Sequence, residues 1–290
     1  MVIASAQYNI PNYILNIFIK MYCKRFLLRP DNEEKLKRID KKGGDSVRLD
    51  ILFTGFPGRS DRGFLGWSSC VLVRPETGSP ILFDTAGFNE RVMLYERLGQ
   101  LGMKPEDIGA VFLSHFHFDH VANVGMFPNA KIYLHEKEIA HIHACRNGNV
   151  HDPAVPHELF LALESSDNLR VLRGPRGRVD TWEWVLTPGH TPGLCSMLLT
   201  IGGKKWVLAS DAVKNSYELE TETVTMTLDP KASKQSIVWI KNTADVVIPG
   251  HDEQLILERM DESAIHVVKH AHPDITIEVP VQVSVRVVSS

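Results

Sequence analysis

The segment LSHFHFDH contains four potential metal ligands in a stretch of six residues: His115, His117, Asp119 and His120. Imidazole and carboxylate groups are the usual protein ligands of zinc, iron and manganese. In an extended segment His115 and His117 point to the same side, whereas Asp119 and His120 follow the bend and can turn toward a second point in the same cavity. The segment therefore predicts one short loop that supplies two adjacent metal sites.

Three further potential ligands each follow an apolar, strand-like segment. They are His190 in TPGHTPG, Asp211 in ASD and His251 in IPGH. Strand ends can meet at one rim of a β structure, so we expect these side chains to converge on the histidine-rich loop.

Two other histidine pairs have the same i, i+2 spacing, at 141/143 and 270/272, but no Asp-His follows either pair. Both pairs lie in segments with a helical pattern, where residues two apart do not face each other. They are predicted to be structural or exposed. Ser114 and Ser210 adjoin candidate ligands but have no base arrangement of their own, so no serine nucleophile is predicted.

The elements that must position these residues occur as two clusters of short strands, each followed by helices. Strands are predicted at 48–53, 67–74, 80–84, 110–113, 131–134, 169–172, 182–186, 195–201, 206–209 and 246–248. Helices are predicted at 89–101, 136–144, 233–242 and 255–269, and Gly202-Gly203 predicts a hairpin turn. This order predicts a mixed α/β (α+β) chain with two sheets packed in the middle and helices outside.

The two ends of the chain have their own patterns. Residues 8–28 form an amphipathic helical pattern, and residues 29–47 are charged and contain Gly43-Gly44. We therefore predict a helix and a linker over residues 1–47, followed by a domain over residues 48–290. The helix would dock on the domain or a second subunit, or make peripheral membrane contact. From 275 to 287 every odd position is apolar, which predicts an edge strand that pairs within its own sheet or extends a partner's sheet in a homodimer.

Composition limits the functions that the chain can have. The 290 residues carry a formal net charge of −3 and are 43% hydrophobic, which is typical of a globular protein and does not favour a nucleic-acid partner. The four cysteines form no CxxC motif, so reduced thiols and a cytoplasmic location are expected.

The HxHxDH motif, followed by a histidine, an aspartate and a histidine at strand ends, resembles the metallo-β-lactamase superfamily over roughly residues 48–260. The resemblance implies a four-layer αββα sandwich with metals at the sheet edge. By motif position, metal one would be held by His115, His117 and His190, metal two by Asp119, His120 and His251, and Asp211 would bridge both. Asp84 in LFDTAG matches the family's early aspartate, which would stand behind the ligands and hydrogen-bond a histidine ring.

Within the superfamily, the ligand spacings of 73, 21 and 40 residues and the segment FPNAKIYLHEKE resemble the N-acyl homoserine lactonase branch. This branch implies two divalent metal ions, most simply zinc with iron or manganese as alternatives. A metal-bridging hydroxide would attack a lactone or related carboxylic ester, with Asp119 and Asp211 as catalytic carboxylates. Those lactonases usually carry a tyrosine three residues after the bridging aspartate, where this chain has Lys214.

The substrate would be a small molecule. Its candidate contacts are Lys214, Tyr217, Phe56, Phe64, Phe116 and Phe118, although the two phenylalanines of the motif could face the core instead. Two other functions remain open: hydrolysis of phosphodiesters or phosphotriesters, and a mononuclear iron persulfide dioxygenase that uses two histidines and one aspartate.

Overall fold

Two seven-stranded sheets form the centre of the protein in the part described by this computed structural model, which comprises residues 37–39, 47–61, 63–259 and 265–269. The first sheet has its strands in the spatial order β1 (Lys37–Ile39), β2 (Val47–Phe53), β5 (Cys70–Pro75), β6 (Ile81–Phe83), β7 (Ala110–Phe112), β8 (Lys131–His135) and β9 (Leu169–Leu172). Two short strands, β3 (Arg59–Ser60) and β4 (Gly63–Phe64), lie between β2 and β5 in sequence and form a separate antiparallel hairpin.

The second sheet follows chain order throughout. It consists of β10 (Arg176–Val179), β11 (Trp182–Leu186), β12 (Cys195–Ile201), β13 (Lys204–Ser210), β14 (Val246–Pro249), β15 (Leu255–Arg259) and β16 (Ile265–Lys269). β12 and β13 are joined at Gly202 and Gly203, whose φ angles of 60° and 73° suit glycine, and this confirms the predicted hairpin.

An apolar core fills the space between the two sheets. The first sheet contributes alternate residues such as Leu49, Phe83 and Phe112, and the second contributes residues such as Trp182 and Met197. The ring of Phe112 meets Trp182 edge-on with 5.3 Å between centroids. Because each strand presents every second side chain to this core, the two sheets must lie face to face.

The helices cover the outer faces of the two sheets. They are α1 (Arg91–Gln100), α2 (Phe118–Val121), α3 (Glu136–Arg146), α4 (His157–Glu164), α5 (Ser216–Thr221) and α6 (Pro230–Thr243). On the first sheet, Arg97 of α1 donates to the carbonyl of Leu52 and lies over the ring of Phe53. On the second sheet, Ile237 and Ile240 of α6 join a core cluster with residues of β13 and β14. The predicted α/β fold with central sheets is thus confirmed.

Strand direction explains where polar loops gather. β6, β7 and β8 are parallel to each other in the first sheet, and β13 is parallel to β14 in the second. Parallel neighbours end at the same edge of a sheet, so the segments after β6, β7, β13 and β14 are brought to common rims.

One predicted element is wrong. The segment predicted as a helix over 255–269 contains the strands β15 and β16, which pair antiparallel with each other. Leu255 and Leu257 are buried and Ile256 between them is half-buried, which is strand alternation. A short apolar run fits either period, and pairing with β14 selects the strand.

Two predictions about the chain ends remain untested. The amphipathic helix at 8–28 and the tail strand at 275–287, with the membrane contact and homodimer attached to them, lie outside the described residues. β1 begins the first sheet inside the segment predicted as a linker and pairs with β2. Among the residues that the structure describes, none belongs to a helix of the length and apolarity needed to cross a bilayer.

Candidate metal centre

The histidine-rich loop has the two-part geometry that its sequence predicts. After β7 ends at Phe112 the chain bends at Ser114 and His115, is extended at His117 with φ −85° and ψ 150°, and enters α2 at Phe118. His115 and His117 therefore lie in the short segment between β7 and α2. Asp119 and His120 lie on the first turn of α2 and belong to a different group of candidate ligands.

The second sheet supplies the other three candidate ligands. His190 lies in the loop between β11 and β12, Asp211 directly follows β13, and His251 follows β14. The chain turns sharply before Asp211, because Ser210 adopts the left-handed region at φ 48°. A side chain at Gly250 would overlap Oδ1 of Asp211, so only glycine fits at that position.

The seven candidate ligands converge in overlapping groups of buried or half-buried side chains. The first triad is His115, His117 and His190, and the second triad is Asp119, His120 and His251. In each triad the potential ligand atoms lie within 4.8 Å of one another.

Asp211 lies between the two triads and offers one oxygen to each. Its Oδ2 is 3.3 Å from Nε2 of His190, whereas its Oδ1 is 3.3 Å from Nε2 of His120 and 3.4 Å from Nε2 of His251. This is the arrangement that a bridging carboxylate requires.

Every one of the five imidazoles has its outward-facing nitrogen beside a hydrogen-bond acceptor. The contacts join His115 to the hydroxyl of Ser114 at 3.0 Å, His117 to Asp152 at 2.9 Å, His120 to Asp84 at 2.9 Å, His190 to the carbonyl of Met226 at 3.0 Å, and His251 to the carbonyl of Trp67 at 3.1 Å. A ring that donates from its outer nitrogen keeps a lone pair on its inner nitrogen, which is how proteins orient metal-binding histidines.

In the first triad the inner nitrogens consequently face one another without protons to share. Nδ1 of His117 lies 3.0 Å from Nε2 of His190, and both rings donate from their other nitrogen. Within the described chain, Nε2 of His115, Nε2 of His120 and Oδ1 of Asp211 are buried without a hydrogen-bond partner. Buried acceptors that converge in this way are unfavourable unless a cation lies between them, so the residues fit divalent metal ions.

The protonation states favour metal binding at the first triad. Burial and the neighbouring imidazoles hold the pKa of His115 well below its usual range, and burial, with His117 and Lys214 acting in the same direction, lowers the pKa of His190 to about 3. Burial alone would raise the pKa of Asp211, but the charges of His251, His120 and His190 keep it well below its usual range. Neutral imidazole and ionised carboxylate are the forms that bind metal.

The second triad is more basic. Burial lowers the pKa of His120, but the carboxylates of Asp119, Asp211 and Asp84 together raise it well above its usual value. The pKa of His251 is also raised, because Asp211 and Asp119 outweigh its burial. A metal ion at this triad must therefore displace protons from its histidines.

Asp84 lies behind the ligands, where the sequence places it. Its Oδ2 accepts from His120 and from the hydroxyls of Ser114 and Ser210 at 2.8 to 3.0 Å, and its Oδ1 accepts from the backbone N–H of Ser114. Asp84 itself has φ 55°, so the backbone bends to bring the carboxylate into this position. Ser114 and Ser210 thus connect the two sheets beneath the centre, and neither has the arrangement of a nucleophile.

Two carboxylates that support the ligand loops are not evident from the sequence. Glu138 of α3 is fully buried and accepts from the backbone N–H of Phe116, the hydroxyl of Thr191 and the backbone N–H of Gly193. Asp152, in the loop after α3, accepts from His117 and from His141. Glu138 is the last residue of the segment FPNAKIYLHEKE, but its spacing to the candidate ligands indicates no role, and Asp152 belongs to no motif.

The candidate substrate residues differ in their placement. Phe116 is fully buried and packs edge-on against Phe160, so it faces the core. Lys214 is mostly buried, with Nζ 2.8 Å from Oε1 of Glu218. Phe56 packs on Trp67 with 5.0 Å between ring centroids, while the remaining three candidates, Phe64, Phe118 and Tyr217, are exposed.

Comparisons with known proteins agree with this geometry. Residues 65–251 match the metallo-beta-lactamase superfamily. The chain is 31% identical to metallo-beta-lactamase domain-containing protein 1 of Mus musculus over 220 residues, covering 72% of this chain and 76% of that protein. It is 28% identical to an N-acyl homoserine lactonase of Bacillus cereus over 214 residues, covering 63% of this chain and 80% of the lactonase.

Among solved structures, the fold resembles AidC, a dizinc quorum-quenching lactonase described in complex with a product, with a TM-score of 0.60. The match covers 83% of this chain and 99% of that one at 17% sequence identity, so it supports the fold alone. The matched family, the two-sheet fold and the convergent histidines and aspartates identify this chain as a member of the metallo-beta-lactamase superfamily and as a metal-dependent hydrolase.

Proposed function

We propose that this protein hydrolyses lactones or related carboxylic esters with two divalent metal ions, most simply zinc. The observation that carries the proposal is the pair of triads on either side of Asp211, with each of the five imidazoles holding one nitrogen beside an outer acceptor and turning the other toward the triads. A single ion at either triad would leave the Asp211 oxygen that faces the other triad without a metal. Two ions, one at each triad, use all seven candidate ligands.

The first ion would be held by His115, His117 and His190, and the second by Asp119, His120 and His251, with Asp211 shared. Five imidazoles and two carboxylates form a donor set suited to zinc, and also to iron. When bound, such ions lower the pKa of water and polarise a carbonyl group, so that hydroxide is available near neutral pH.

The protein's own groups handle the proton. Asp119 has 20% of its side chain exposed, against 4% for Asp211, so Asp119 is the carboxylate that can meet a substrate. It can accept the proton of the attacking water and deliver it to the alkoxide that leaves when the ester bond breaks. Asp211, held between three histidines, keeps the two triads in register.

The ester class is supported by two observations. A relative that is 28% identical is an N-acyl homoserine lactonase. In addition, three aromatic side chains are exposed: Phe64, Phe118 and Tyr217. Phe118 directly follows His117 in sequence. Phe56 packs on Trp67, whose backbone carbonyl lies beside Nδ1 of His251. These aromatic side chains would contact an acyl group, and Lys214, whose Nζ is paired with Glu218 at 2.8 Å, would face the carbonyl oxygen.

Metal analysis of the purified protein, paired with a panel of lactones, esters, phosphodiesters and phosphotriesters, tests the proposal. We expect about two metal ions per chain and hydrolysis of a lactone or ester. Two ions with hydrolysis confined to phosphoesters would overturn the substrate class. One iron per chain, with oxygen uptake on glutathione persulfide and no hydrolysis, would overturn the dinuclear hydrolase.

Asp211→Ala tests the bridge directly. Removing the shared carboxylate should reduce bound metal below two per chain and abolish most of the hydrolysis, because both triads lose a ligand. Asp167→Ala, at an exposed position away from the centre, is the matched control and should keep both. Full metal content and activity in Asp211→Ala would contradict the assignment.

A further inference from the structure

The ring of His117 is held from behind by a carboxylate that comes from a distant part of the chain. Nε2 of His117 donates to Oδ2 of Asp152 at 2.9 Å, while its Nδ1 faces Nε2 of His190 at 3.0 Å. The side chains of His117 and Asp152 are 10% and 7% exposed, so water competes little for this hydrogen bond. The contact determines which nitrogen of His117 faces the first triad.

Asp152 is itself held in place by two further contacts. Nε2 of His141, on α3, donates to the same Oδ2 at 2.9 Å, and the backbone N–H of Ala154 donates to Oδ1 at 3.2 Å. The carbonyl of Ala154 in turn accepts from the backbone N–H of Phe118, the residue after His117. The loop that carries Asp152 is therefore tied both to α3 and to the histidine-rich loop.

The two triads each contain one histidine backed by a carboxylate. His120 of the second triad donates to Asp84, and His117 of the first triad donates to Asp152. The other three rings are backed by neutral acceptors, a serine hydroxyl and two backbone carbonyls. A carboxylate acceptor orients the ring and makes its inner nitrogen a stronger donor to a metal ion.

We propose that Asp152 and His141 form a positioning pair for the first triad: Asp152 fixes the His117 ring with Nδ1 toward the metal, and His141 fixes Asp152. The pair sets the metal affinity of the first triad and leaves that of the second triad largely unchanged. This inference rests on the proposed metal-binding role of the triads, and neither Asp152 nor His141 contacts a metal ion or substrate in it.

The test uses the full-length protein loaded with cobalt(II), whose visible absorption reports the coordination of each ion, and chelator competition, which gives two dissociation constants. Asp152→Ala should weaken one of the two ions about 10- to 100-fold, the range typical for the loss of such a carboxylate. The spectral change should match that of His190→Ala, which removes a ligand from the first triad, and not that of His251→Ala. Asp152→Asn keeps an acceptor oxygen and should fall between Asp152→Ala and the unaltered protein.

The role of His141 is tested with two substitutions. His141→Leu removes the donor while filling the space and should weaken the same ion by a smaller factor. His141→Gln retains an N–H donor and should recover much of the loss. Because His141 acts through Asp152, adding His141→Leu to Asp152→Ala should cause little further loss.

His143→Ala is the matched control, because His143 lies on the same helix but pairs with Glu164 away from the centre. It should leave both dissociation constants unchanged. The proposal is overturned if Asp152→Ala binds both ions normally, if it weakens both equally, or if the two substitutions add in full. Failure of the unaltered protein to hydrolyse any ester would overturn the proposed function alone, since the cobalt comparison does not depend on the substrate.

Discussion

Glu138 offers the sharpest test of how the fold holds the metal ligands. Its carboxylate accepts from Phe116 at 2.9 Å, from Thr191 at 2.7 Å and from Gly193 at 3.1 Å, and its side chain is fully buried. Phe116 lies between His115 and His117, and Thr191 follows His190. One carboxylate on α3 therefore fixes both loops that supply the first triad.

Substituting Glu138 by Gln or Ala should cost different amounts of stability. In Glu138→Gln one oxygen becomes an NH₂ group, so one buried donor loses its acceptor, at about 1–3 kcal/mol. In Glu138→Ala three hydrogen bonds to a charged group are lost, at about 1.5–3 kcal/mol each before relaxation, so we expect roughly 4–6 kcal/mol. The smaller loss corresponds to a fall in Tm of roughly 2–12 °C for a chain of this size.

Urea unfolding of the metal-free protein measures these free energies without a contribution from metal binding. Glu136→Gln is the matched control, because Glu136 lies on the same helix with a side chain that is 45% exposed and should change stability by less than about 0.5 kcal/mol. If Glu138→Gln unfolds within about 0.5 kcal/mol of the unaltered protein, the hydrogen bonds of Glu138 do not hold the loops as argued.

Three further predictions follow from the centre. Gly250→Ala should displace Asp211 and reduce bound metal, measured by elemental analysis, whereas Gly99→Ala, where a side chain meets open space, should leave the metal content unchanged. As the pH falls, metal should leave the second triad first. The two histidines of that triad have raised pKa values, so protons compete with metal there at a higher pH than at the first triad. Cobalt spectra recorded against pH would show the reverse order if this reasoning is wrong. Chelation should remove about 4 kcal/mol of unfolding free energy per site for an ion at a thousand times its Kd, and Tm should fall accordingly. An unchanged Tm would count against metal binding at both triads.

The candidate ligands could be identified from the sequence because their positions follow from local rules. The HxHxDH motif spans only the short segment after β7 and the first turn of α2, which keeps its four candidate ligands close together. The other three candidates could be placed together because each follows a recognisable apolar strand. These strands, β11, β13 and β14, run in the same direction, so their ends lie at the same edge of the second sheet.

The supporting residues could not be predicted in this way. Asp152 lies 35 residues after His117, and Glu138 contacts Gly193 across 55 residues, so only the packing of α3 against both loops brings them together. The mistaken helix over 255–269 has a related cause, because pairing with β14, rather than the local pattern, decides the structure there.

The division of ligands between the two sheets links metal binding to the packing of the fold. Each triad combines two residues from the first sheet's loop with one histidine from the second sheet, and Asp211 of the second sheet touches both. A bound ion would therefore join the sheets, and its binding free energy would add to the stability of their packing.

The sheets are also joined without metal. The hydroxyls of Ser114, from the first sheet's loop, and Ser210, from the second sheet, lie 2.8 Å apart and both contact Oδ2 of Asp84. The backbone N–H of Cys195 also donates to the carbonyl of Ser114 at 2.9 Å. With the apolar core between the sheets, these contacts should hold the centre in place before metal enters. The protein should therefore remain folded when its metal is removed and bind metal again at a largely preformed site, unlike small zinc domains that unfold without their ion.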